Sequence, residues 1–348
     1  MYFLRKTAFL LFLLCPLFIN AANKVVFINP GYEVTNPTGP FWQNVSRMMQ
    51  AASADLNFDL SIRYAERNYI QMKKLVSQAL SENPDYLILV DEKSIIFDTL
   101  MSLKPTQTQL YFLLNRPSSI EIARLESKGY RVLGSVIANN TKVGRALMKS
   151  MLTASDQSKG SMFALLGDTI TSASIERERG MLGVMNRQHQ IRLRERIYAN
   201  WSEQEAFDRV LGLAQRYPDL VMIWSANDAM AAGAERALRQ LNLRDKVIIG
   251  GINWDPQYEQ LDMSFGGHFA LGAYALIRLN DFRELNQLSK DHEELEIFVP
   301  YSEKFAPLLK SVYSDQLEKI NFRQFSQTSD TPLAFGIEHL LYSLEKNF

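Results

Sequence analysis

The sequence predicts an α/β protein of two lobes, each built on a doubly wound parallel sheet. Short apolar runs rich in β-branched residues alternate with segments of helical spacing, a pattern typical of parallel sheets covered by helices on both faces. The alternation completes one series before residue 138 and begins again after residue 160. The 348 residues, 47% of them hydrophobic, are enough to build two separate cores.

The first series contains five strands and three helices. The continuous apolar run at residues 86–90 is typical of a strand buried on both faces. The other strands of this series are predicted at residues 25–28, 60–64, 110–114 and 132–137, and its helices at residues 41–54, 69–80 and 95–103.

The second series repeats the same order. Its strands are predicted at residues 162–166, 193–198, 221–224 and 247–249, and its helices at residues 174–189, 202–216 and 229–241. A last amphipathic segment at residues 333–344 either packs on a lobe or contacts a partner protein. Packing is the favoured alternative, because tertiary contacts provide most of the stability of a short helix.

The first 22 residues have the pattern of a secretory signal peptide. Basic residues near the start precede an apolar run at residues 8–19 and the small residues Ala21 and Ala22, where we expect cleavage. The run is short for a bilayer span, so a retained anchor is the less favoured alternative. The only cysteine, Cys15, lies in this segment, so the mature chain is expected to contain no disulfide. Export without cysteines indicates the periplasm.

Composition and motifs argue against several classes of protein. Lysine plus arginine and aspartate plus glutamate both total 38, so no basic excess indicates a nucleic-acid partner. No phosphate-binding loop, dinucleotide-binding glycine motif or nucleophile elbow is present, and the four histidines lack metal-ligand spacing. We therefore expect no catalytic residues, no metal and no cofactor.

The residues that follow the predicted strands are the candidate site, because ligands of doubly wound sheets bind beyond the carboxyl ends of the strands. Aromatic rings, amides and guanidiniums are concentrated there. Rings suit the C–H faces of a sugar, and amides and guanidiniums form paired hydrogen bonds with its hydroxyls. The candidate ligand-binding residues are Phe41, Trp42, Asn115, Arg116, Arg177, Trp201, Asn227 and Asn253.

The aromatic candidates carry different alternatives. Trp42, in the Thr38–Trp42 stretch TGPFW, and Trp201 are expected to present rings to the ligand from opposite lobes. Phe41 either joins them or anchors its loop in the core. Trp254 either adds a further ring or covers the end of a strand.

The polar candidates also have structural alternatives. Arg177 lies near a helix start, where the helix dipole favours acids, so a ligand contact is the better explanation for a guanidinium there. Arg116 either binds the ligand or pairs with a lobe carboxylate, and the ligand is favoured. Asn227 is assigned to the ligand, and Asp228 is expected to be the N-cap of the helix that follows.

Several motifs together give the chain a resemblance to the type I periplasmic sugar-binding proteins. They extend in order from about Lys24 to Pro300: Pro40-Phe41-Trp42, Asn115-Arg116, residues 174–180, residues 224–231 and residues 250–253. The chain is also partly similar to autoinducer-2 receptors of the same fold. This resemblance implies two lobes joined by three crossings of the chain, which close on a ligand in the cleft between them.

The resemblance also implies domain boundaries. They are a signal peptide at residues 1–22, an N-terminal lobe at 24–138 plus 269–292, a C-terminal lobe at 139–268 plus 293–313, and a C-terminal extension at 314–348. His268, at the expected position of the third crossing, becomes a ligand-binding candidate because a glutamine is usual there. Its alternative is a structural histidine of the core or hinge.

Besides His268, two more candidates depart from the family pattern. Asn115 and Asn253 stand where aspartates are usual, while Arg116 and Arg177 are retained. The site is therefore expected to be less anionic than a simple aldose site. This leads to the hypothesis of a ligand with negative charge or strong acceptors, such as a sugar acid, a phosphosugar or a borate diester.

The expected function is that of a periplasmic solute-binding protein, a monomer that delivers a sugar-like molecule to the permease of an ABC importer. The alternative is a receptor subunit that reports ligand occupancy to a membrane sensor kinase or chemoreceptor. Both functions rely on closure of two lobes around the ligand. Neither requires nucleic acid or a membrane span after cleavage of the signal.

Overall fold

The computed structural model describes residues 22–34, 37–155, 159–188, 190–255, 261–288, 290–314 and 316–346. Most of the expected signal peptide, with Cys15, lies outside the described residues, as does His189. None of the described helices is long and apolar enough to cross a membrane.

Twelve strands and eleven α-helices are described. The strands are β1 (Asn23–Asn29), β2 (Phe58–Tyr64), β3 (Tyr86–Leu89), β4 (Gln109–Leu113), β5 (Arg131–Ala138), β6 (Gly160–Leu166), β7 (Ile191–Tyr198), β8 (Leu220–Ser225), β9 (Ile248–Asn253), β10 (Met263–Gly266), β11 (His292–Leu295) and β12 (Val299–Pro300). The helices are α1 (Phe41–Leu56), α2 (Tyr69–Glu82), α3 (Ile95–Ser102), α4 (Ser119–Lys128), α5 (Asn140–Ala154), α6 (Ser172–Met185), α7 (Glu203–Leu213), α8 (Asp228–Gln240), α9 (Leu271–Leu285), α10 (Ala306–Tyr313) and α11 (Ile337–Lys346).

The strands form two six-stranded sheets. The first has the order β11-β5-β4-β3-β1-β2 and is parallel throughout. The second has the order β12-β10-β9-β8-β6-β7, and only its short edge strand β12 is antiparallel to its neighbour. The predicted fold class of two doubly wound parallel lobes is confirmed.

Local sequence explains where several helices begin and end. Asn68 caps α2 by accepting hydrogen bonds from the backbone N–H groups of Ile70 and Gln71. Ser118 and Glu121 form a capping box at the start of α4. Strand β3 is buried at every position, as its continuous apolar run predicts.

The chain crosses between the lobes four times: after β5, after β10, between β11 and β12, and after β12. The first three are the crossings that the family resemblance implies. After β12 it returns to the first lobe, where α10 and α11 pack against the same core as α1 and α9. Leu340 and Leu344 of α11 are fully buried in that core. The amphipathic C-terminal segment is therefore packed on a lobe, which was the favoured alternative.

The segment at residues 293–313 does not belong to one lobe. Strand β11 pairs with β5 at the edge of the first sheet, and β12 pairs with β10 in the second. Helix α10 then buries Leu308 and Val312 in the first core. The expected placement of the whole segment in the C-terminal lobe therefore differs from the observed division, because each part pairs with or packs on the nearest unfilled edge or face.

Candidate ligand-binding cleft

A cavity lies between the strand ends of the two lobes. It encloses about 600 Å³, counting the part that is open to solvent. Its walls are formed by Thr38, Phe41, Trp42, Arg67, Glu92, Leu114, Asn115, Asn140, Thr171, Ala173, Arg177, Trp201, Asn227, Asn253 and His268. The structure thus places all of the candidate residues except Arg116 around one cavity, as expected for residues at the carboxyl ends of parallel strands.

Arg116 points away from this cavity. Its Nη1 donates a hydrogen bond to Ser135 Oγ at 2.9 Å, and the same hydroxyl lies 3.0 Å from Nδ1 of His292. Arg116 therefore lies over β5 and β11 in the first sheet, outside the cavity wall, and it bonds a serine hydroxyl rather than a lobe carboxylate. The physical reason is the bend after β4: Leu114 has a left-handed φ of 64°, and the chain turns there, so that Asn115 lines the cavity and Arg116 reaches over β5.

The first lobe contributes two adjacent rings. Phe41 and Trp42 meet edge to face with ring centroids 5.1 Å apart, and Phe41 stacks on His268 at 4.4 Å. Trp42 is only 8% exposed and belongs to the first core, whereas Phe41 is half-buried. Trp42 thus packs in the core and also lines the cavity, whereas Phe41 is the ring that contacts His268 in the crossing after β10.

The second lobe contributes Trp201. Its side chain is half-buried, and its indole Nε1 donates to Asp168 Oδ2 at 3.1 Å. Trp254 does not line the cavity but lies buried against Phe305, with ring centroids 4.9 Å apart. Of the two alternatives for Trp254, the structure supports a packing role.

Arg177 is 4% exposed and makes three hydrogen bonds. Its Nε donates to Asn140 Oδ1 at 3.0 Å, its Nη1 to the carbonyl oxygen of Ala226 at 2.6 Å, and its Nη2 lies 3.1 Å from His268 Nε2. Burial lowers the pKa of Arg177 to about 10, partly opposed by nearby carboxylates, so the guanidinium stays charged at neutral pH. All three of these acceptors are uncharged groups.

His268 is neutral and has one hydrogen-bond donor that meets no partner among the residues that the structure describes. Burial, and then the neighbouring Arg177 guanidinium, hold the pKa of His268 well below its usual range. Because a guanidinium can only donate, His268 Nε2 accepts from Arg177 and the ring proton sits on Nδ1. That Nδ1 is buried with no hydrogen-bond partner among the described residues.

Asn115 provides a matching acceptor. Its Oδ1 is buried and has no hydrogen-bond partner within the described part of the chain. Buried polar atoms are almost always paired in folded proteins, so both atoms are suited to a bound molecule. A hydroxyl can donate to Asn115 and can also accept from His268 Nδ1.

The N-cap of α8 is Asn227 rather than Asp228, so the expectation for Asp228 was wrong. Asn227 has extended dihedrals, and its Oδ1 accepts from the backbone N–H of Met230 at 2.9 Å. Its Nδ2 donates to the carbonyl oxygen of Trp201 at 3.1 Å, so it also fixes the loop that carries this ring. Asp228 is the first helical residue, and its carboxylate accepts from Ser264 Oγ and from the backbone N–H of Asp255.

Several cavity residues were not among the candidates. The most informative are Arg67 and Glu92, which follow β2 and β3. Arg67 Nη1 lies 2.9 Å from both carboxylate oxygens of Glu92, and Glu92 is 4% exposed. Their positions after predicted strands could have revealed them. Glu92 adds a carboxylate to a site that was expected to be less anionic than a simple aldose site.

The two lobes touch each other on the solvent side of the cavity. The carbonyl oxygen of Pro37 accepts from the backbone N–H of Glu203 at 3.2 Å. The carbonyl oxygen of Thr38 lies 3.5 Å from Asn227 Nδ2. These contacts join the loop after β1 to elements of the second lobe, so the structure shows the cleft in a closed arrangement.

Two doubly wound lobes, the crossings that join them, and a cavity between the strand ends that is lined by aromatic rings and polar side chains define a two-lobed ligand-binding protein. Comparison with known families gives the same class. The periplasmic binding protein domain matches residues 31–261, and the chain belongs to this family.

The individual relatives share less than 30% of their residues with this chain. The chain is 24% identical over 233 residues to a D-apiose import binding protein of Paraburkholderia graminis, covering 66% of this chain and 69% of the relative. It is 20% identical to the D-allose-binding periplasmic protein of Escherichia coli over 64% of this chain and 72% of the relative. A solved periplasmic sugar-binding protein from Pseudomonas fluorescens superposes with a TM-score of 0.81 at 28% identity, covering 92% of this chain and 99% of that structure. The resemblance to type I periplasmic sugar-binding proteins is confirmed.

Proposed function

We propose that this chain is a periplasmic solute-binding protein that captures a sugar between its closing lobes and delivers it to an ABC importer. The observation that carries the proposal is the chemistry of the side chains that line the cavity. Rings from both lobes line it together with a buried acceptor, Asn115 Oδ1, and a buried donor, His268 Nδ1, neither of which has a partner in the described part of the chain.

This combination suits a sugar better than an apolar molecule or a simple ion. A sugar ring has C–H faces that pack on aromatic rings and a rim of hydroxyls that both donate and accept. Phe41 and Trp201 line the cavity from opposite lobes, and Arg177 adds a buried guanidinium to its wall. A ligand that touches both lobes stabilises the closed arrangement by its differential affinity.

The charge of the cavity favours a neutral sugar over a sugar acid or phosphosugar. Arg116, one of two guanidiniums on which the anionic hypothesis rested, does not line the cavity. Glu92 does line it and pairs with Arg67, so that pair contributes no net charge. Arg177 remains as one buried cation, its charge is partly offset by the nearby Asp228 and Glu176 carboxylates, and guanidiniums bind hydroxyls as well as anions.

The names of the relatives support an import role without catalysis. The matching proteins are named as binding proteins for D-apiose import and for D-allose. We propose that this chain likewise binds without catalysis, and that the lobes move as bodies about the crossings while the permease receives the ligand. Genes for a permease and an ATPase beside its own gene would support import, whereas a sensor-kinase gene would support the receptor alternative.

A thermal-shift screen followed by titration calorimetry tests the proposal. The screen includes D-apiose, D-allose, D-ribose, sugar acids and phosphosugars, and we expect stabilisation by one or more neutral sugars. Trp201→Ala is expected to weaken the binding at least tenfold, while Tyr342→Ala, on the exposed face of α11, leaves it unchanged. Binding that is confined to charged sugars, or that survives Trp201→Ala, would contradict the proposal.

A further inference from the structure

The order of strands in the two sheets defines a mouth of the cleft that is far from the crossings. The crossings leave from or enter β5, β11, β10 and β12, which lie at one edge of each sheet. Strands β2 and β7 lie at the opposite edges. Because opening is a rotation about the crossings, residues near the β2 and β7 edges separate most, and contacts between the lobes there exist only when the cleft is closed.

One ion pair joins the lobes near this mouth. Lys93 follows β3 in the first lobe, and its Nζ lies 3.7 Å from Oδ2 of Asp168, which follows β6 in the second lobe. The side chains are 21% and 9% exposed, so the pair is partly shielded from water. The ammonium also lies 4.8 Å from the centroid of the Tyr69 ring, which holds it from the first-lobe side.

Asp168 is held firmly by its own lobe. Its Oδ1 accepts hydrogen bonds from the backbone N–H groups of Ile170 and Thr171, at 2.9 and 2.7 Å. Its Oδ2 accepts from Thr171 Oγ1 and from the indole Nε1 of Trp201. The oxygen that faces Lys93 is thus the same atom that orients a ring of the candidate site.

The backbone around Lys93 supports a dedicated role. Lys93 and Ser94 both have left-handed dihedrals, with φ of 59° and 57°. Two successive non-glycine residues in this region are unfavourable and persist where other contacts hold them. Here the preceding residue is Glu92, whose carboxylate pairs with Arg67 in the cavity wall.

We propose that Lys93 and Asp168 form a latch across the mouth of the cleft, and that Asp168 is a positioning residue that couples closure to the orientation of the Trp201 ring. The latch is a contact between the lobes and does not depend on the identity of the ligand. Only the consequence that it slows release of a bound sugar rests on the proposed function. Closure brings the ammonium to the carboxylate, and the carboxylate holds the indole at the cavity.

Distances between the lobes test the latch without any sugar. Spin labels are placed on cysteines that replace Ile70 and Arg209, exposed on helices after β2 and β7, in a Cys15→Ser background. Double electron–electron resonance then gives the fraction of closed molecules in the labelled protein with Lys93 and in the labelled protein with Lys93→Gln. Arg63→Gln is the matched control, because Arg63 is also 21% exposed and its partner Glu82 lies in the same lobe.

The population of molecules with the short distance between labels, which are the closed molecules, is expected to fall about two- to fivefold in Lys93→Gln. High salt should have the same effect on the labelled protein that retains Lys93. Arg63→Gln should leave the population unchanged. A distribution that is unaltered by Lys93→Gln, or by salt in the protein that retains Lys93, would overturn the latch. Since the measurement needs no ligand, a failed sugar screen and a failed latch are separate outcomes.

The positioning role of Asp168 has its own readout. Asp168→Asn keeps the size of the side chain but removes its charge and places an amide beside the indole N–H. We expect the tryptophan emission spectrum to shift, and the shift to be absent when the same substitution is made together with Trp201→Phe. An emission spectrum that Asp168→Asn leaves unchanged, or a shift that persists without Trp201, would overturn this role.

Discussion

The contact between α5 and α6 can be tested with a single methyl group. The two helices meet at Gly144 and Gly180, where their backbones touch directly. A Cβ added at Gly144 would lie 2.0 Å from the carbonyl oxygen of Arg177, and one at Gly180 would lie 2.1 Å from that of Thr141. Real Cβ atoms essentially never come within 3.0 Å of such an atom, so Gly144→Ala must separate the helices.

The size of the effect follows from this geometry. Overpacking a tight contact costs about 1–3 kcal/mol. Gly183, also on α6, has nothing within 4 Å of an added Cβ, so Gly183→Ala should instead stabilise by about 0.5–1 kcal/mol through its helix propensity. The free energies of unfolding of the two variants should therefore differ by about 1.5–4 kcal/mol.

Urea denaturation followed by tryptophan fluorescence measures these free energies. The same substitution has a second consequence, because α5 begins with Asn140 and α6 carries Arg177, whose side chains are hydrogen-bonded in the cavity wall. Gly144→Ala should therefore also weaken binding of the sugar found in the thermal-shift screen. If both alanine variants changed stability in the same direction, the close helix contact would be refuted.

Three further predictions concern the cap, the hinge and a buried acid. Asn227→Ala should lower the free energy of unfolding by about 1–2 kcal/mol, and Asn227→Ser should restore most of it, as measured by urea denaturation. Gly267→Ala should lower the free energy of unfolding, because φ at this position is +102° and an added Cβ would lie 2.6 Å from the Ile337 side chain. Adding Ile337→Ala should relieve only the steric clash, because the backbone strain at positive φ remains. Full recovery of stability in the double variant would contradict the argument from the dihedral angle. Burial and the adjacent Asp228 carboxyl raise the pKa of Asp255 well above its usual range, so the folded chain binds this proton more tightly and loses stability as pH rises. Asp255→Asn should therefore raise the Tm more at about pH 8 than at about pH 5, whereas Asp59→Asn, on an exposed position, should give the same shift at both.

The strands were predictable because most are short apolar runs bounded by polar residues, and their alternation with helices determined the fold class. Helix α9 was not predicted, because nearly every side chain in it is buried and its sequence has no polar face to reveal a helical period. Helices α4 and α5 were also missed, although Ser118 and Asn139 are good N-caps. The division of residues 293–313 between the lobes depends on which edge strand each part pairs with, and the local sequence pattern does not indicate the partner strand.

The site was predictable in place more than in detail. Strand ends located the cavity, but Arg116 shows that the position after a strand does not determine which way a side chain points. Asn227 and Asp228 are both good capping residues, and the backbone dihedrals of Asn227 decide between them. Arg67 and Glu92 were missed because a charged pair in a loop is usually solvated, whereas here the carboxylate is buried.

Because α10 and α11 return to the first lobe, that lobe is assembled from both ends of the described chain. Its core combines β1 and α1 with residues from α9, α10 and α11, while residues 140–266 supply all of the second sheet except β12. A chain delivered from its N-terminus to its C-terminus therefore presents the second lobe almost complete while the first still lacks part of its core. We expect the second lobe to form early, and the cleft to become a binding site only when the final helix has docked.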